Sequence, residues 1–387
     1  MEKTYAIFSA NYLPNVGGVE RYTHNLAISL ADLGNRVTIV TSNVFGLPVR
    51  EGLRESIEIV RLPCLNLLQG RLPLPKKNRA YRTEVRLLAE TPFDYVVVNT
   101  RFYPHTLQGI RIAEHRGIRP IIIDHGSAHL TLGNGFVDAF VSGYEHAITS
   151  LVKRHPADYY AVSQAGSSWL GHFGINSSGV LSNSIDAHEF RNSTSGRDYR
   201  KELGLPNDAF IVSYTGRFIP EKGIRPLIES AQILSSEPQI HYLLAGDGPL
   251  LEYINSQKLP NVHVLGKLAS PDIAALLLAS DAFCLPTRSE GFSTSLLESA
   301  ACGTTPIITN VGGVQELMPD EDYGCLLRQA DAEEIAEAIL GLLRNPARNA
   351  HIGKNILSRV EQEFSWEKTA ERVQLACERA NAKPTIP

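Results

Sequence analysis

The sequence lacks a hydrophobic run that could cross a membrane. None of its apolar stretches approaches the roughly 18 residues that a transmembrane helix requires. It also lacks the pattern of a secretory signal peptide, because Met1, Glu2 and Lys3 are followed almost at once by a predicted strand. We therefore expect a cytoplasmic protein.

Cysteine is scarce and shows no pattern of paired ligands. The five cysteines are odd in number and widely spaced, and none belongs to a C-x-x-C motif: Cys64, Cys284, Cys302, Cys325 and Cys377. Such cysteines are typical of buried or free thiols in a reducing compartment. An excess of positive charge is also missing, since 37 Lys and Arg stand against 41 Asp and Glu, a net charge of -4. This balance argues against a general nucleic-acid binder.

The length and the order of the predicted elements indicate two domains. A chain of 387 residues exceeds one ordinary core and fits two domains of roughly 180 to 190 residues. Strand-like runs alternate with helical periodicity in two blocks, which predicts an α/β protein with parallel sheets. We predict one domain over 1–184, a second over 185–364 that begins with a linker at 185–208, and a C-terminal helix in 365–387 that returns to the first domain.

The most informative segment is 290–298, which reads EGFSTSLLE and carries a carboxylate at each end, Glu290 and Glu298. A buried strand is predicted immediately before it and a helix within it. Glu290 then lies at the carboxyl end of a strand, where open α/β sheets bind ligands. The first helical N–H groups, around Thr294 and Ser295, suit a pyrophosphate because they lack intrahelical partners. We expect one carboxylate to bind a transferred sugar and the other a ribose.

Segment 290–298 also permits a purely structural interpretation. Ser295 followed three positions later by Glu298 matches a capping box, in which the glutamate only binds the N-cap amide.

A second phosphate-binding element lies upstream, where a predicted strand is followed by Gly216, Arg217 and Lys222. Arginine can bind two phosphate oxygens at once and lysine supplies a compact charge, which together suit a diphosphate leaving group. The alternative is a solvated turn in which Glu221 pairs with Lys222.

Paired glycines occur in two similar segments, NVGGVE at 15–20 and NVGGVQ at 310–315. Paired glycines let the backbone approach a ligand closely and expose N–H groups to an anion. We therefore expect Gly17 and Gly18 to face the pyrophosphate. For Gly312 and Gly313 we favour the alternative, in which the glycines only permit a tight turn from strand to helix.

In their order and spacing, these motifs resemble the family 4 retaining glycosyltransferases of GT-B fold. The resemblance covers nearly the whole chain and rests on segments at 17–21, 124–126, 182–186, 216–222, 245–249 and 290–298. It implies two Rossmann-like domains whose parallel sheets face across a cleft, and a C-terminal helix that crosses back to the first domain.

The resemblance also implies roles for individual residues. Arg217, Lys222, His125 and Glu290 would be the catalytic group, with Arg217 and Lys222 on the donor diphosphate and Glu290 on the sugar. The implied donor-binding set is Gly17, Gly18, Arg217, Lys222, Gly246, Asp247, Lys267, Leu268, Glu290, Phe292, Ser293, Thr294, Ser295 and Glu298. Within it, Glu298 binds the ribose and the residues at 246–248 and 266–268 border the base. Members generally need no metal ion, so we expect no metal and no other cofactor.

Two residues depart from the usual family pattern. Ser293 stands where many members have glycine, and Thr294 stands where an aliphatic residue is common. Both changes leave the backbone amides in place, so we expect donor binding but not a particular donor sugar. UDP-sugars are the first expectation and GDP-mannose is the second.

The expected mechanism is a front-face reaction, in which the leaving phosphate helps to deprotonate the acceptor hydroxyl. A double displacement would instead require a carboxylate nucleophile, and Asp124, beside His125, is the candidate unless it caps a loop. His125 is expected to act on the sugar, and the alternative is a structural histidine.

The first domain is expected to receive a glycan or a lipid-linked acceptor. Segment 71–86 holds six basic residues and one acidic residue, so it either contacts an anionic membrane surface or forms an ordinary solvated helix. The candidate residues are Lys76, Lys77, Arg79 and Arg82, next to the apolar Leu72, Leu74 and Tyr81.

The predicted sugar-nucleotide site is also compatible with two other classes of function. Carboxylates and histidines near a sugar nucleotide could serve an epimerase or hydrolase that needs no acceptor. A sugar-nucleotide-binding protein without catalysis is the third class.

Overall fold

The chain folds into two α/β units. The computed structural model describes residues 2–15, 17–67, 70, 72–129 and 135–382, and for 135–140 it describes the backbone only. The first unit consists of Met1–Asn183 with Trp366–Pro387, and the second of Ser184–Ser365. The division therefore falls at 183/184 and 365/366, each one residue from the predicted boundaries at 184/185 and 364/365.

Among its described residues the first unit contains ten strands and six α-helices, five of which precede the second unit along the chain. The strands are β1 (Thr4–Ser9), β2 (Arg36–Ser42), β3 (Arg50–Arg54), β4 (Ile57–Leu62), β5 (Cys64–Leu67), β6 (Leu72–Pro75), β7 (Tyr95–Asn99), β8 (Ile121–Asp124), β9 (Asp158–Ala161) and β10 (Ser177–Val180). The helices are α1 (Gly18–Asp32), α2 (Arg79–Glu90), α3 (Pro104–His115), α4 (Gly135–Val152) and α5 (Gln164–His172).

The second unit contains the next nine helices and six strands. The helices are α6 (Ala187–Asn192), α7 (Tyr199–Glu202), α8 (Ile224–Ile233), α9 (Leu251–Ser256), α10 (Ser270–Leu278), α11 (Thr294–Ala301), α12 (Val314–Leu317), α13 (Ala332–Arg344) and α14 (Pro346–Glu363). The strands are β11 (Phe210–Thr215), β12 (Ile240–Ala245), β13 (Val262–Gly266), β14 (Ala282–Leu285), β15 (Thr305–Thr309) and β16 (Cys325–Leu327). The last helix, α15 (Trp366–Ala382), belongs to the first unit.

Both main sheets are predominantly parallel, as the sequence predicts. The first has the order β10-β9-β8-β7-β1-β2-β4-β3, and only its edge strand β3 runs antiparallel to its neighbour β4. The second has the order β13-β12-β11-β14-β15-β16, and all its described pairs are parallel. Central strands are rich in β-branched residues that are buried on both faces, such as Ile121, Ile122 and Ile123. The predicted α/β fold class is confirmed.

The order of the strands determines where a ligand can bind in each unit. Successive strands are added toward one edge of the sheet and then toward the other, and this change of direction falls between the parallel neighbours β1 and β7 in the first unit and β11 and β14 in the second. At such a reversal the loops after the two strands diverge, which leaves a crevice at their carboxyl ends. Arg217, Lys222 and Glu290 follow the two strands at the reversal of the second unit, and His125 follows β8, the neighbour of β7, in the first unit.

Two further features concern the segments that follow the two points where the chain passes between the units. The predicted linker at 185–208 is instead a folded part of that unit, because Asp186 and Asp198 cap α6 and α7 and Tyr199 is fully buried. Helix α15 packs on α1 within the first unit, where the Trp366 ring lies edge-on to Tyr22 at 5.3 Å.

Candidate functional site

The loops after β11 and β14 form the candidate site of the second unit. We call residues 216–223 the basic loop and residues 286–293 the Glu290 loop. Lys222 lies in a 3-10 turn, Pro220–Lys222, which ends at Gly223 with φ +71°. This left-handed conformation favours glycine, and a Cβ on Gly223 would overlap the carbonyl of Pro286. Glycine therefore lets the basic loop pack against the Glu290 loop.

Hydrogen bonds join these two loops. The Thr287 hydroxyl donates to the carbonyl of Glu221 at 3.1 Å, and the Arg288 N–H donates to the same carbonyl at 2.8 Å. The side chains carried by the two loops are therefore held close together.

The main result of this arrangement is an ion pair between Lys222 and Glu290. The two side chains are only 21% and 12% exposed, so water screens the pair less than an ordinary surface pair. The alternative in which Lys222 pairs with its neighbour Glu221 is wrong, because the described partner of Lys222 lies 68 positions away.

Arg217 lies in the basic loop that carries Lys222. Its backbone carbonyl accepts a hydrogen bond from the buried Tyr214 hydroxyl at 2.9 Å, which fixes the start of the basic loop. Burial raises the pKa of Tyr214 above its usual range, the charge of Glu290 raises it further, and the charge of Arg217 opposes the rise. Both charges therefore lie close enough to act on one phenol. The Arg217 side chain is exposed.

Helix α11 begins at Thr294, inside the 290–298 segment where the sequence predicts a helix. Ser293 is its N-cap, because the Ser293 hydroxyl accepts the N–H of Leu296 at 3.3 Å. The capping-box interpretation is therefore wrong, since Ser295 lies inside the helix and Glu298 is not at the third helical position. The N–H groups of Thr294 and Ser295 lie in the first turn, where helix amides have no intrahelical acceptor.

The glycine pair after β15 supports the Glu290 loop. Gly312 has φ +59°, and a Cβ there would overlap the carbonyl of Glu290. A Cβ on Gly313 would overlap the ring of Phe292, and the Gly313 N–H donates to Gly291 at 3.1 Å. The interpretation as a simple strand-to-helix turn is therefore incomplete, because these glycines also hold the loop that carries Glu290.

The residues expected near the base follow β12 and β13, which lie on the side of β11 opposite to β14. Asp247 accepts the N–H of Gly248 at 2.8 Å and pairs with Lys267 at 3.3 Å, and these two interactions lower the pKa of Asp247. A Cβ on Gly246 would overlap the carbonyl of Gly216, so this loop lies directly against the basic loop. Leu268 packs against a hydrophobic cluster that includes Tyr199 and Leu243.

The first unit contains a cavity of about 210 Å³ at its own topological reversal. We call it the first-unit cavity. It is lined by residues that follow β1, β7 and β8 and by the first turn of α1, among them Asn11, Glu20, Arg101, His125 and Glu145. His125 was the residue of this unit that the sequence assigned to catalysis.

Hydrogen bonds determine the tautomer of His125. The Thr23 hydroxyl donates to the carbonyl of Val19 at 2.8 Å, so its oxygen accepts from Asn99 Nδ2, also at 2.8 Å. Asn99 Oδ1 then faces His125 Nε2 at 3.0 Å, which assigns the ring proton to Nε2 and the lone pair to Nδ1. Burial lowers the pKa of His125 to about 3, so the imidazole is neutral near pH 7. His125 thus offers a hydrogen-bond acceptor rather than a positive charge.

Asp124 is not available as a nucleophile. It is fully buried, and both its oxygens accept from Arg101 Nη1, at 3.1 and 3.0 Å. The same guanidinium donates to Glu145 at 2.5 Å, and the three side chains are at most 3% exposed. The proposed role of Asp124 in a double displacement is therefore not supported by its position.

Gly17 and Gly18 lie at the start of α1, and Val16 between them and Asn15 is outside the described residues. Glu20 folds back onto this helix end, where it accepts from Asn15 at 3.0 Å, and a Cβ on Gly17 would overlap its carboxylate. An anion that approaches Gly17 would therefore meet a carboxylate.

Sequence reasoning missed Asn99, Arg101 and Glu145. Asn99 and Arg101 had a usable signal, because they are polar residues directly at the end of a predicted buried strand. Glu145 lies within α4 and had no such signal.

The basic candidates of the first unit are at the surface. Lys76, Lys77, Arg79 and Arg82 are exposed, but Tyr81 is 4% exposed and cannot contact a membrane as expected. Arg71 lies outside the described residues. Among the described helices, none combines the length and the apolar character that a membrane span requires.

Two family models match the chain. The model described as Glycosyltransferase Family 4 matches residues 16–189, and the model described as Glycosyl transferases group 1 matches residues 196–359. The chain belongs to the family 4 glycosyltransferases of group 1. The predicted family is thus confirmed, and with it the transfer of a sugar as the type of reaction.

Individual family 4 relatives and structures resemble the chain over different lengths. An uncharacterized glycosyltransferase of Methanocaldococcus jannaschii is 23% identical over 96% of this chain and 97% of its own. A GDP-mannose-dependent monoacylated alpha-(1-6)-phosphatidylinositol monomannoside mannosyltransferase of Corynebacterium glutamicum is 30% identical over 45% of this chain and 48% of its own. Anabaena HepE in complex with UDP-glucose has a TM-score of 0.71 at 19% identity, over 97% of this chain and 99% of HepE. The structural likeness confirms the GT-B fold.

Proposed function

We propose that this glycosyltransferase moves a sugar from a nucleoside-diphosphate sugar to a glycan or lipid-linked acceptor, with retention of the anomeric configuration. The observation that carries the proposal is the Lys222–Glu290 pair, formed between the loop that also carries Arg217 and the loop that leads into α11. Cations and first-turn amides that meet at the carboxyl ends of adjacent strands are suited to a diphosphate. Cell-surface polysaccharide or glycolipid synthesis is the proposed context.

In this proposal the bound donor separates Lys222 from Glu290 and pairs with each of them. The diphosphate binds Lys222, Arg217 and the amides of Thr294 and Ser295, and Glu290 is released to accept a sugar hydroxyl. Bond breaking places negative charge on the diphosphate, so these groups stabilise the transition state more than the ground state. Glu298 binds the ribose, and the 246–248 and 266–268 loops border the base.

We propose the front-face mechanism over double displacement. The support is the position of Asp124, whose oxygens are both held by Arg101 and which is fully buried. His125 accepts a hydroxyl hydrogen through Nδ1, as its neutral tautomer permits.

The anomeric configuration of the product, followed by proton NMR from the first turnovers, tests retention directly. An inverted product would contradict the proposal.

The cationic groups replace a metal ion at the leaving group in this proposal. Transfer should therefore proceed equally well with and without added Mg²⁺ or Mn²⁺, the oxygen-preferring ions that bind diphosphates. A requirement for either ion would overturn this part.

UDP-sugars are proposed as donors first and GDP-mannose second. HepE binds UDP-glucose in a fold that this chain shares, whereas the Corynebacterium relative is GDP-mannose-dependent. The deciding experiment incubates the protein with each nucleotide sugar and measures free nucleoside diphosphate before and after a glycan or lipid acceptor is added. Acceptor-dependent release supports transfer. Full-rate release or epimerisation without acceptor would favour the hydrolase or epimerase alternative, and binding without turnover would favour a non-catalytic protein.

A peripheral membrane contact is proposed for the acceptor side. Strands β5 and β6 form a two-stranded ribbon in which Leu65 pairs with Leu74 and Leu67 with Leu72, so the four leucines share one face. Leu65 and Leu67 are 49% and 43% exposed. The exposed Lys76, Lys77, Arg79 and Arg82 follow directly along the chain. We call these eight residues the leucine-lysine surface.

Apolar side chains next to cations suit an anionic lipid surface. Flotation with phosphatidylglycerol vesicles should recover the protein, and phosphatidylcholine vesicles should not. Replacing Leu65 and Leu67 by serine should abolish the recovery, whereas Leu375→Ser, at another exposed leucine on α15, should not. Equal recovery from both lipids would exclude the electrostatic part of this contact.

A further inference from the structure

Three histidines of the first unit converge at its surface. His129 precedes α4, His146 lies on α4, and His172 lies in the last turn of α5. One ring nitrogen of each lies within 4.8 Å of the corresponding nitrogens of the other two. None of the three lines the first-unit cavity, so the donor and acceptor chemistry does not account for the cluster.

The surroundings of His129 match those of a metal ligand. Its Nδ1 lies 2.7 Å from Glu145 Oε2, and Arg101 donates to the other oxygen of that carboxylate. A carboxylate accepts hydrogen bonds only, so Nδ1 carries the ring proton and Nε2 carries the lone pair. Histidines that bind metals almost always donate their second ring N–H to a carboxylate or carbonyl in this way. Ser142 Oγ lies 3.4 Å from the same Nε2.

The other two histidines can adjust to an ion. His146 and His172 are exposed, and the ring of His172 stacks on Trp169 at 4.8 Å with an interplanar angle of 3°. Zinc–nitrogen bonds of about 2.0–2.1 Å in a tetrahedral site place ligand nitrogens roughly 3.4 Å apart. A shift of about one ångström in the exposed rings would bring the three nitrogens to this spacing.

We propose that His129, His146 and His172 bind a divalent transition-metal ion of the zinc class, with the fourth position open to water. Neutral imidazoles are the ligands that such ions prefer over Mg²⁺. The local charge also favours a cation, because the buried network behind His129 holds two carboxylates, Asp124 and Glu145, against one guanidinium, Arg101. The ion would hold Glu145 in the orientation that binds Arg101, and so stiffen one wall of the first-unit cavity.

The test uses untagged full-length protein, freed of metal by EDTA and dialysis. Native mass spectrometry with ZnCl2 should detect one ion per chain, and Co²⁺ should give the strong visible absorption of a tetrahedral site. His146→Ala and His172→Ala should each weaken Zn²⁺ binding about 100-fold or more, since even a lost outer-shell partner costs about 10- to 100-fold.

The matched control is His351→Ala, which removes an exposed histidine on α14 of the second unit and should leave Zn²⁺ binding unchanged. Thermal unfolding should move to higher temperature with Zn²⁺ in the wild type and the control, but not in the two cluster variants. Zn²⁺ binding that is equally tight in all four proteins, or absent from the wild type, would overturn the proposal. Neither readout requires a nucleotide sugar, so the outcome is independent of the proposed function.

Discussion

Replacing Glu290 by glutamine should change two properties of the enzyme in opposite directions. The Glu290 carboxylate is paired with the Lys222 ammonium group, which the proposal assigns to the donor diphosphate. A diphosphate must therefore compete with Glu290 for this cation. Glutamine removes the competitor and also removes the charged acceptor that would hold the sugar. We expect Glu290→Gln to bind UDP more tightly and to transfer sugar more slowly.

The gain in UDP affinity follows from the burial of the pair. Two unit charges ~4 Å apart attract by about 1 kcal/mol in water and about 4 kcal/mol at an effective dielectric constant of about 20. Side chains that are 21% and 12% exposed lie nearer the second regime, but part of the attraction is offset by the desolvation of both charges. A net value of about 1–2 kcal/mol corresponds to UDP binding roughly 5- to 30-fold tighter.

The loss in transfer follows from the hydrogen bond to the sugar. A hydrogen bond to a charged group contributes about 1.5–3 kcal/mol. If Glu290 makes this bond only in the transition state, kcat should fall by roughly 10- to 150-fold.

Isothermal titration with UDP and steady-state kinetics with the donor measure the two effects. Glu221→Gln is the matched control, because Glu221 is exposed in the basic loop beside Lys222 and contributes its carbonyl, not its carboxylate, to the described contacts with the Glu290 loop. It makes the same change in net charge and should alter neither quantity. Weaker UDP binding in Glu290→Gln would refute the idea that the carboxylate competes with the diphosphate.

Three further predictions concern other groups. Arg217→Ala should lower donor turnover about 100- to 1000-fold with an unchanged melting temperature, because the side chain is exposed, and near-normal turnover would remove its assignment to the diphosphate. Asn99→Asp should raise the pKa of His125 from about 3, so that activity falls as the pH drops below the new pKa, whereas the wild type should show no such step between pH 5 and 8. Burial lowers the pKa of His105 to about 4 in the folded protein. As the pH falls from about 6.5 to 4, the histidine of the unfolded chain is protonated while that of the folded protein is not, so the free energy of unfolding decreases. His105→Gln, which can still donate to Val40, should reduce the loss in unfolding free energy between pH 7.5 and 5 by about 2 kcal/mol in urea titrations.

The sequence was sufficient for the fold and for the neighbourhood of the second-unit loops. Parallel sheets follow from buried β-branched runs, and Lys222 and Glu290 could be placed at strand ends because strand and loop are contiguous in the chain. Their mutual pairing could not be predicted, since it depends on β11 and β14 being neighbours although they are far apart in sequence.

The network of the first unit was beyond sequence reasoning for the same physical reason. Arg101, Asp124 and Glu145 come from three separate segments, and their contact depends on the placement of α4 against the sheet. The three histidines likewise show no metal-binding spacing, because they come from a loop and two helices. The capping-box alternative at Ser295 could not be rejected from the sequence, since Ser293 and Ser295 are both good N-caps and only the hydrogen bond to Leu296 distinguishes them.

Arg101 in the first unit and Lys222 in the second are paired in different ways, and the difference indicates which of these two cations an anionic ligand can bind. Arg101 is at most 1% exposed and is bound by two carboxylates that are themselves at most 3% exposed, so an incoming anion would have to displace a buried carboxylate that has no access to water. Lys222 is one-fifth exposed and has one described carboxylate partner, which itself remains partly exposed. An incoming diphosphate can replace that carboxylate without leaving any charge unpaired, because the phosphate provides the same negative charge and Glu290 can turn to a hydroxyl. A cation that must change partners in every catalytic cycle has to be paired in this replaceable way, and Lys222 meets the condition whereas Arg101 does not.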